Sequence, residues 1–363
     1  HIISKILLHF SNFLIGPFSI NFFCPKSVLV INISVDIYRN LRRKIFRFYN
    51  RYFFQKLLKK KRSESTAVLM VVVPGLTHLA VLAINQISKR EGLILIDNGL
   101  LEKEREILKK TTPNISTFRL KNNRLFGQQM VDTHPEVIET LAYIPKNKVV
   151  FIDPDCYIFD NKILDTVIKE LDSHLFTSPF YFLNEELKET VPETFLIGMN
   201  TKKLRKIKGI YGTRFGESSL SIKLKKLVWR KWQIDNPWPQ PYKKIFDTIH
   251  VFLLAGFVEN MTIGRINYDI SSLFHVCGTS YNQLSFQSVK NNDLLIINAH
   301  YFHIKIIEML RLDWLDEYFK ALIHHYGNSD KLIHDFEEYS KSNLRVNIDK
   351  LILKISKHSI SSF

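Results

Sequence analysis

The 363-residue chain carries a formal charge of +16, with 45% apolar and 24% charged residues, which argues against bulk disorder and leaves apolar material for one large domain or two modest ones. The charge excess is local: eleven basic residues and no acidic one lie within residues 39–62, a pattern that points to one attachment segment more than to a nucleic-acid partner. Cys24, Cys156 and Cys277 are widely spaced and form no Cys-x-x-Cys pair, which argues against a zinc ribbon or disulfide framework and fits a reducing compartment.

In chain order, residues 6–24 hold no Lys, Arg, Asp or Glu and approach the length of a membrane span, although Ser11, Asn12, Ser19, Asn21 and Gly16-Pro17 weaken it. The basic residues follow this run instead of preceding it, and no small-residue cleavage site closes it, so it does not read as a secretory signal. The first residue is His1 rather than Met, as in a chain with a trimmed N-terminus. Residues 37–58 are predicted to form a basic helix with Ile37, Leu41, Ile45, Phe48, Tyr52 and Leu58 near one face. Such a helix suits an anionic membrane surface on the cytoplasmic side, or packs its aromatic stripe on the rest of the protein. Residues 59–66 read as a linker.

Residues 67–73 are a near-continuous apolar strand ended by Pro74-Gly75. Helical spacing over 78–89 (Leu79, Leu82, Ile84, Ile87) and a second apolar strand over 93–96, ending at Asp97-Asn98-Gly99, predict a parallel strand–helix–strand unit. A charged helix is expected over 102–110. Within 127–141, Gln128, Gln129, Asp132, His134 and Glu136 are polar; helix-surface polarity explains most of them, with His134 the strongest exception.

Residues 149–152 form a buried strand that runs into Asp153-Pro154-Asp155. Carboxylates at i and i+2 outside the carboxyl end of a strand can grip Mg²⁺ or Mn²⁺, which is held by one or two carboxylates plus substrate phosphates. The alternative is that Asp153 caps the turn and Asp155 faces water.

Together, the strand reaching Pro74, Leu95-Ile96-Asp97-Asn98-Gly99 and the strand ending Asp153-x-Asp155 resemble a nucleotide-sugar glycosyltransferase of the GT-A fold, close to the family 2 pattern in its first half. The resemblance implies that Pro74 opens the donor loop and that Asp97 hydrogen-bonds the donor nucleobase. It also implies that Asp153 approaches ribose and metal while Asp155 ligates the metal bridging the diphosphate. The family 2 base position carries a Glu-Asp pair, whereas Phe246-Asp247 stands here. Asp247 is the candidate base that removes the acceptor proton, with helix capping as its other reading, and Glu259 is a weaker candidate.

Farther on, 175–182 and 194–199 are strand-like, and 214–241 is basic and rich in Trp (Trp229, Trp232, Trp238), suited to stacking on sugars or to ordinary packing. His275, three residues before Gly278, resembles the C-terminal His-x-x-Gly metal motif of metal-dependent glycosyltransferases; His300 and His303, after an apolar strand over 294–298, are rivals. Residues 304–363 read as helical (Ile307, Leu310, Leu312, Trp314, Leu315, Tyr318, Leu322) before losing signal.

The expected fold is α/β, a GT-A-like (Rossmann-like), mostly parallel sheet flanked by helices over 66–303, with an N-terminal segment over 1–65 and a helical region over 304–363. Partners implied by the resemblance are a nucleotide-sugar donor (UDP-, GDP- or similar) and a glycan or lipid-linked acceptor. A sugar-phosphate nucleotidyltransferase is the rival within the fold, but Pro74-Gly75-Leu76-Thr77 stands where its Gly-rich, Arg-containing loop belongs. A non-catalytic basic protein binding membrane or nucleic acid is the rival outside it.

Overall fold

A computed structural model describes residues 25–87, 92–121, 124–125, 128–129, 132–184, 187–216, 220–233, 248–269, 271–276, 299, 301–303, 305–306, 308–309 and 343–359. The chain divides into two compact units, His1–Ile45 and Phe46–Phe363. The apolar run over 6–24 lies outside the described residues. Among those described, no helix is long and apolar enough to cross a membrane.

The larger unit is built on a seven-stranded sheet. Its strands are β1 (Thr66–Val72), β2 (Leu93–Asp97), β3 (Ser116–Arg119), β6 (Lys148–Ile152), β8 (Phe176–Ser178), β11 (Leu196–Asn200) and β12 (Ile263–Arg265), in the spatial order 12-8-11-6-1-2-3. Strands β4 (Arg124–Leu125) with β5 (Gln128–Gln129), β9 (Tyr181–Asn184) with β10 (Glu189–Pro192), and β7 (Cys156–Ile158) with β13 (Leu273–His275) form separate two-stranded ladders. In the main sheet only β11 runs antiparallel to its neighbours.

Helices cover both faces, which explains why the central strands are apolar at every position instead of alternating. Val68, Met70, Val72, Val150 and Ile152 pack with the helices Thr77–Ile87, Asn161–Glu170 and Asn343–Ser359. Leu69, Val71, Ile94, Ile96, Val149 and Phe151 pack on the other face. Their partners there are Phe54, Leu58 and the helices His134–Leu141, Thr201–Tyr211, Ile222–Trp232 and His250–Val258.

Several boundaries differ from the sequence reading for local reasons. The segment 175–182 splits into β8 and β9 at Pro179-Phe180, because Pro brings no N–H to a ladder. The helix within 127–141 begins only at His134, with Pro135 in its first turn, where the missing N–H costs nothing. The loss of signal near the C-terminus is corrected by the helix Asn343–Ser359, whose buried Ile348, Leu351 and Ile355 recur at i, i+3 and i+7.

The basic helix spans Pro25–Lys60, and the apolar stripe grouped near one face in the sequence does not pack on the protein as a unit. Asn50, Phe54 and Leu58 are buried, whereas Ile45, Phe48 and Tyr52 are exposed. Three polar contacts select the buried face. Asn50 exchanges hydrogen bonds with the Lys121 backbone, donating at 3.3 Å and accepting at 2.8 Å; Arg47 pairs with Glu136; and Arg51 donates to the Glu139 and Thr140 carbonyls at 2.7 and 3.1 Å. An apolar count alone could not see these anchors.

Candidate active site

β6 delivers Asp153 and Asp155 at the carboxyl end of the central strand. Pro154 lies within a turn closed by the Cys156 N–H on the Asp153 carbonyl at 3.1 Å. The chain then re-enters as β7, whose partner β13 pairs His275 with Cys156, and the Val276 N–H donates to the Asp155 carbonyl at 3.1 Å. This short ladder brings residues 120 positions apart into one corner. His275 Nε2 stands 3.4 Å from Asp155 Oδ1, and one ligand atom each from Asp153, Asp155 and His275 lies within 4.8 Å of the others.

The corner is held from a second side by the loop before β11. The Asp153 N–H donates to the Phe195 carbonyl at 2.9 Å, and the Phe195 ring stacks on His275 with centroids 3.6 Å apart and planes 15° from parallel. Phe180 meets the same imidazole edge-on at 6.0 Å. Asp155 is buried, and burial together with the Asp155 charge pushes the Asp153 carboxyl up to about 8, with His275 pulling the other way. The same two aspartates and burial raise the Cys156 thiol. Two carboxylates and one imidazole, forced together where charge is costly, form a donor set that fits a hard or borderline divalent cation such as Mg²⁺ or Mn²⁺.

His134, the exception anticipated within 127–141, stands at the start of its helix with Nε2 3.9 Å from Asp153 Oδ1, beyond hydrogen-bond range, and burial pulls its imidazole down to about 4, toward the neutral form. Glu193, which sequence reading passed over, lies just before Phe195; its N–H bonds the Phe180 carbonyl at 2.9 Å. Burial raises its carboxyl while the nearby His275 lowers it. No sequence signal singles it out, because only the ladder that seats His275 brings Glu193 near it.

Asp97 ends β2 as predicted, but its carboxylate serves its own turn. Oδ1 accepts the N–H groups of Gly99 and Leu100 at 3.1 and 2.8 Å, and Oδ2 accepts Arg105 Nε at 2.7 Å. Beside it, Asp97, Arg105, Thr117 and Arg119 line part of a cavity of about 270 Å³. Pro74 leads into Gly75, which has φ +78, in the left-handed region that favours glycine. The Gly75 N–H donates to Glu104 Oε1 at 2.5 Å, so a buried carboxylate from the helix Glu102–Thr111 fixes this loop.

Other candidates fall elsewhere. Asp247, His300, Trp238 and Gly278 lie outside the described residues. His303 is buried in the core with Nδ1 3.0 Å from His78 Nε2. Glu259 accepts the Tyr211 hydroxyl at 2.6 Å. It precedes β12, whose first residue pairs with Phe176 and through it with Met199 and Val149, near the amino end of β6 and away from Asp153 beyond its carboxyl end. Trp232 donates to the Leu187 carbonyl at 3.0 Å and packs on Phe257, while Trp229 is exposed.

Residues 47–204, which contain β1, β2, β6 and both aspartates, match the family profile described as the StrH glycosyltransferase N-terminal domain. Over that stretch the chain is similar to a glycosyltransferase domain. Similar solved structures include an active-site mutant of LgtC, at 12% identity and TM-score 0.29 over 48% of this chain and 67% of that one. GlyE of Streptococcus pneumoniae TIGR4 matches at 10% identity and TM-score 0.33 over 80% and 64%. A protein described as a nucleotide-diphospho-sugar transferase from Desulfovibrio desulfuricans G20 matches at 10% identity and TM-score 0.31 over 67% and 97%. No curated protein matches. Likenesses this distant carry no argument about the protein's site residues or substrates.

Proposed function

We propose that this protein is a metal-dependent glycosyltransferase of the GT-A type that moves a sugar from a nucleotide-sugar donor, with Asp153, Asp155 and His275 holding Mn²⁺ or Mg²⁺ against the diphosphate of the donor. The observation that carries this reading is the convergence of three ligand atoms within 4.8 Å across the β7–β13 ladder. When bound, the cation would neutralise charge on the departing nucleoside diphosphate. The protein's own part is to hold two carboxylates and an imidazole in one orientation. Phe195 fixes the imidazole plane by stacking, and the Phe195 carbonyl fixes the Asp153 backbone. In the overall exchange, the sugar–oxygen bond to the diphosphate breaks, a bond from the acceptor oxygen to the sugar forms, and the acceptor proton passes to a base.

The nucleobase-side role of Asp97 is in this reading exerted through its turn: the carboxylate orders Gly99 and Leu100 and holds Arg105 beside the donor. Pro74 opens the donor loop that Glu104 fixes through Gly75. Asp247 remains the candidate base by its order along the chain. The acceptor is a glycan or lipid-linked glycan, and the basic N-terminal region attaches the enzyme peripherally to the cytoplasmic face of a membrane.

The deciding experiment measures nucleotide release from UDP-, GDP- and CMP-sugars with and without Mn²⁺. Release of the nucleotide from one donor class, enhanced by Mn²⁺, supports the reading. Metal-independent release would sink the metal assignment, and pyrophosphate formed from a nucleoside triphosphate would identify a nucleotidyltransferase.

A further inference from the structure

The C-terminal half of the helix Pro25–Lys60 has two unlike faces. Toward the sheet, Asn50, Phe54 and Leu58 are buried, and the cations Arg47 and Arg51 on this side pair with Glu136 and Glu139. Outward, Phe48 (76% exposed), Tyr49, Tyr52 (57% exposed) and Phe53 stand in water, followed by exposed Lys56, Lys59 and Lys60. The rings cluster: Tyr49 and Phe53 are 4.4 Å apart, and Tyr52 meets Phe53 edge-on at 5.1 Å. Lys121 adds a cation from the catalytic body, its Nζ 5.7 Å from the Tyr49 ring.

Four neighbouring aromatic side chains facing water, beside cations and with no acidic residue anywhere in 39–62, make an unusual surface. We propose that this outward face docks on an anionic lipid surface. Phe48, Tyr49, Tyr52 and Phe53 enter the boundary between headgroups and acyl chains, while Lys56, Lys59, Lys60 and Lys121 meet lipid phosphates. Charge complementarity selects this occupant: a second copy of the same face would set lysines against lysines, whereas an anionic leaflet satisfies rings and cations together. The inference deepens the peripheral attachment proposed above and is independent of the metal centre.

The test mixes the full chain with vesicles of phosphatidylcholine alone or with added phosphatidylserine and follows co-sedimentation. Binding to the anionic vesicles is expected to be at least about tenfold tighter than to neutral ones, and to be lost at about 0.5 M salt. The double variants Phe48→Gln/Tyr52→Gln and Lys56→Glu/Lys59→Glu should each weaken binding about tenfold or more with unchanged melting. Unaltered binding by either double variant, or equal binding to neutral vesicles, overturns the proposal. So does a dimer in light scattering that these variants dissociate without any vesicle binding, since the face would then belong to a second copy. Metal-independent nucleotide release alongside intact vesicle binding would remove the metal reading and leave this one standing.

Discussion

Two acidic centres in this protein solve the same electrostatic problem differently. Glu139 is buried on the helix His134–Leu141, and the chain supplies its partners: Lys208 Nζ at 2.5 Å, Arg51 at 3.5 Å, the Tyr143 hydroxyl at 3.0 Å and the Phe215 N–H at 3.2 Å. Those partners tie three helices and a loop to one carboxylate. Asp153 and Asp155 are instead pressed against each other and against His275, and the cost appears as the raised Asp153 carboxyl. The first arrangement is complete within the fold, whereas the second gains from a cation brought from outside. Buried carboxylates with internal cations therefore read as structure, and buried carboxylates sharing a corner read as a binding centre.

Substitutions break the comparison in opposite ways. Asp155→Asn is expected to lower sugar transfer by about a thousandfold, abolish stabilisation by Mn²⁺ and leave the metal-free melting temperature unchanged or raised. Wild-type turnover in this variant would show that the centre is not the metal site. Glu139→Ala should do the reverse, costing about 3 kcal/mol of stability by stranding Lys208 and Arg51, while turnover measured well below the melting transition stays near that of the parent. A loss of turnover without a fall in denaturation midpoint would contradict its structural assignment.

The pH dependence sharpens the contrast. In the metal-free protein Asp153 titrates near 8 when folded, against about 3.8 as its ordinary value, so the folded state holds that proton more tightly. The stability this contributes is fully present below about 4 and is lost as pH rises through about 8, with a slope of at most about 1.4 kcal/mol per pH unit. Mn²⁺ competes with the same proton, so its stabilising effect should grow across this window. Melting curves from pH 5 to 8.5 with and without Mn²⁺ check it; a pH-independent Mn²⁺ shift would argue that Asp153 is not a ligand.

The smallest effect is expected from the ring beside the centre. Phe195→Leu removes the stack that orients His275 and should weaken Mn²⁺ affinity about tenfold, roughly 1.4 kcal/mol. Titrating Mn²⁺ against activity would reveal an unshifted midpoint if the stack were incidental.

Much of the sheet was legible in sequence because strands buried on both faces must be apolar throughout, and β1, β2 and β6 each end on a residue that stops a strand: Pro74, Asn98 or Asp153. The positions of the Asp153-x-Asp155 pair and His275 were legible for a related reason, since each stands where a run of apolar residues ends. What the sequence by itself determined, then, was the strand–helix alternation and the chemistry at strand ends, both local consequences of side-chain type. Only the tertiary structure decided that β13 pairs with β7 to seat His275 on Asp155, that His303 belongs with His78 in the core, and that Asp97 spends its carboxylate on its own turn. It also decided which face of the basic helix turned inward, through Asn50 on the Lys121 backbone and the pairing of Arg47 and Arg51 with Glu136 and Glu139. Apart from the Asp97 turn, whose partners lie within eight positions, those outcomes depend on partners 71 to 225 positions away along the chain, and hydrophobic periodicity, which counts only neighbours within one element, carries no information about them.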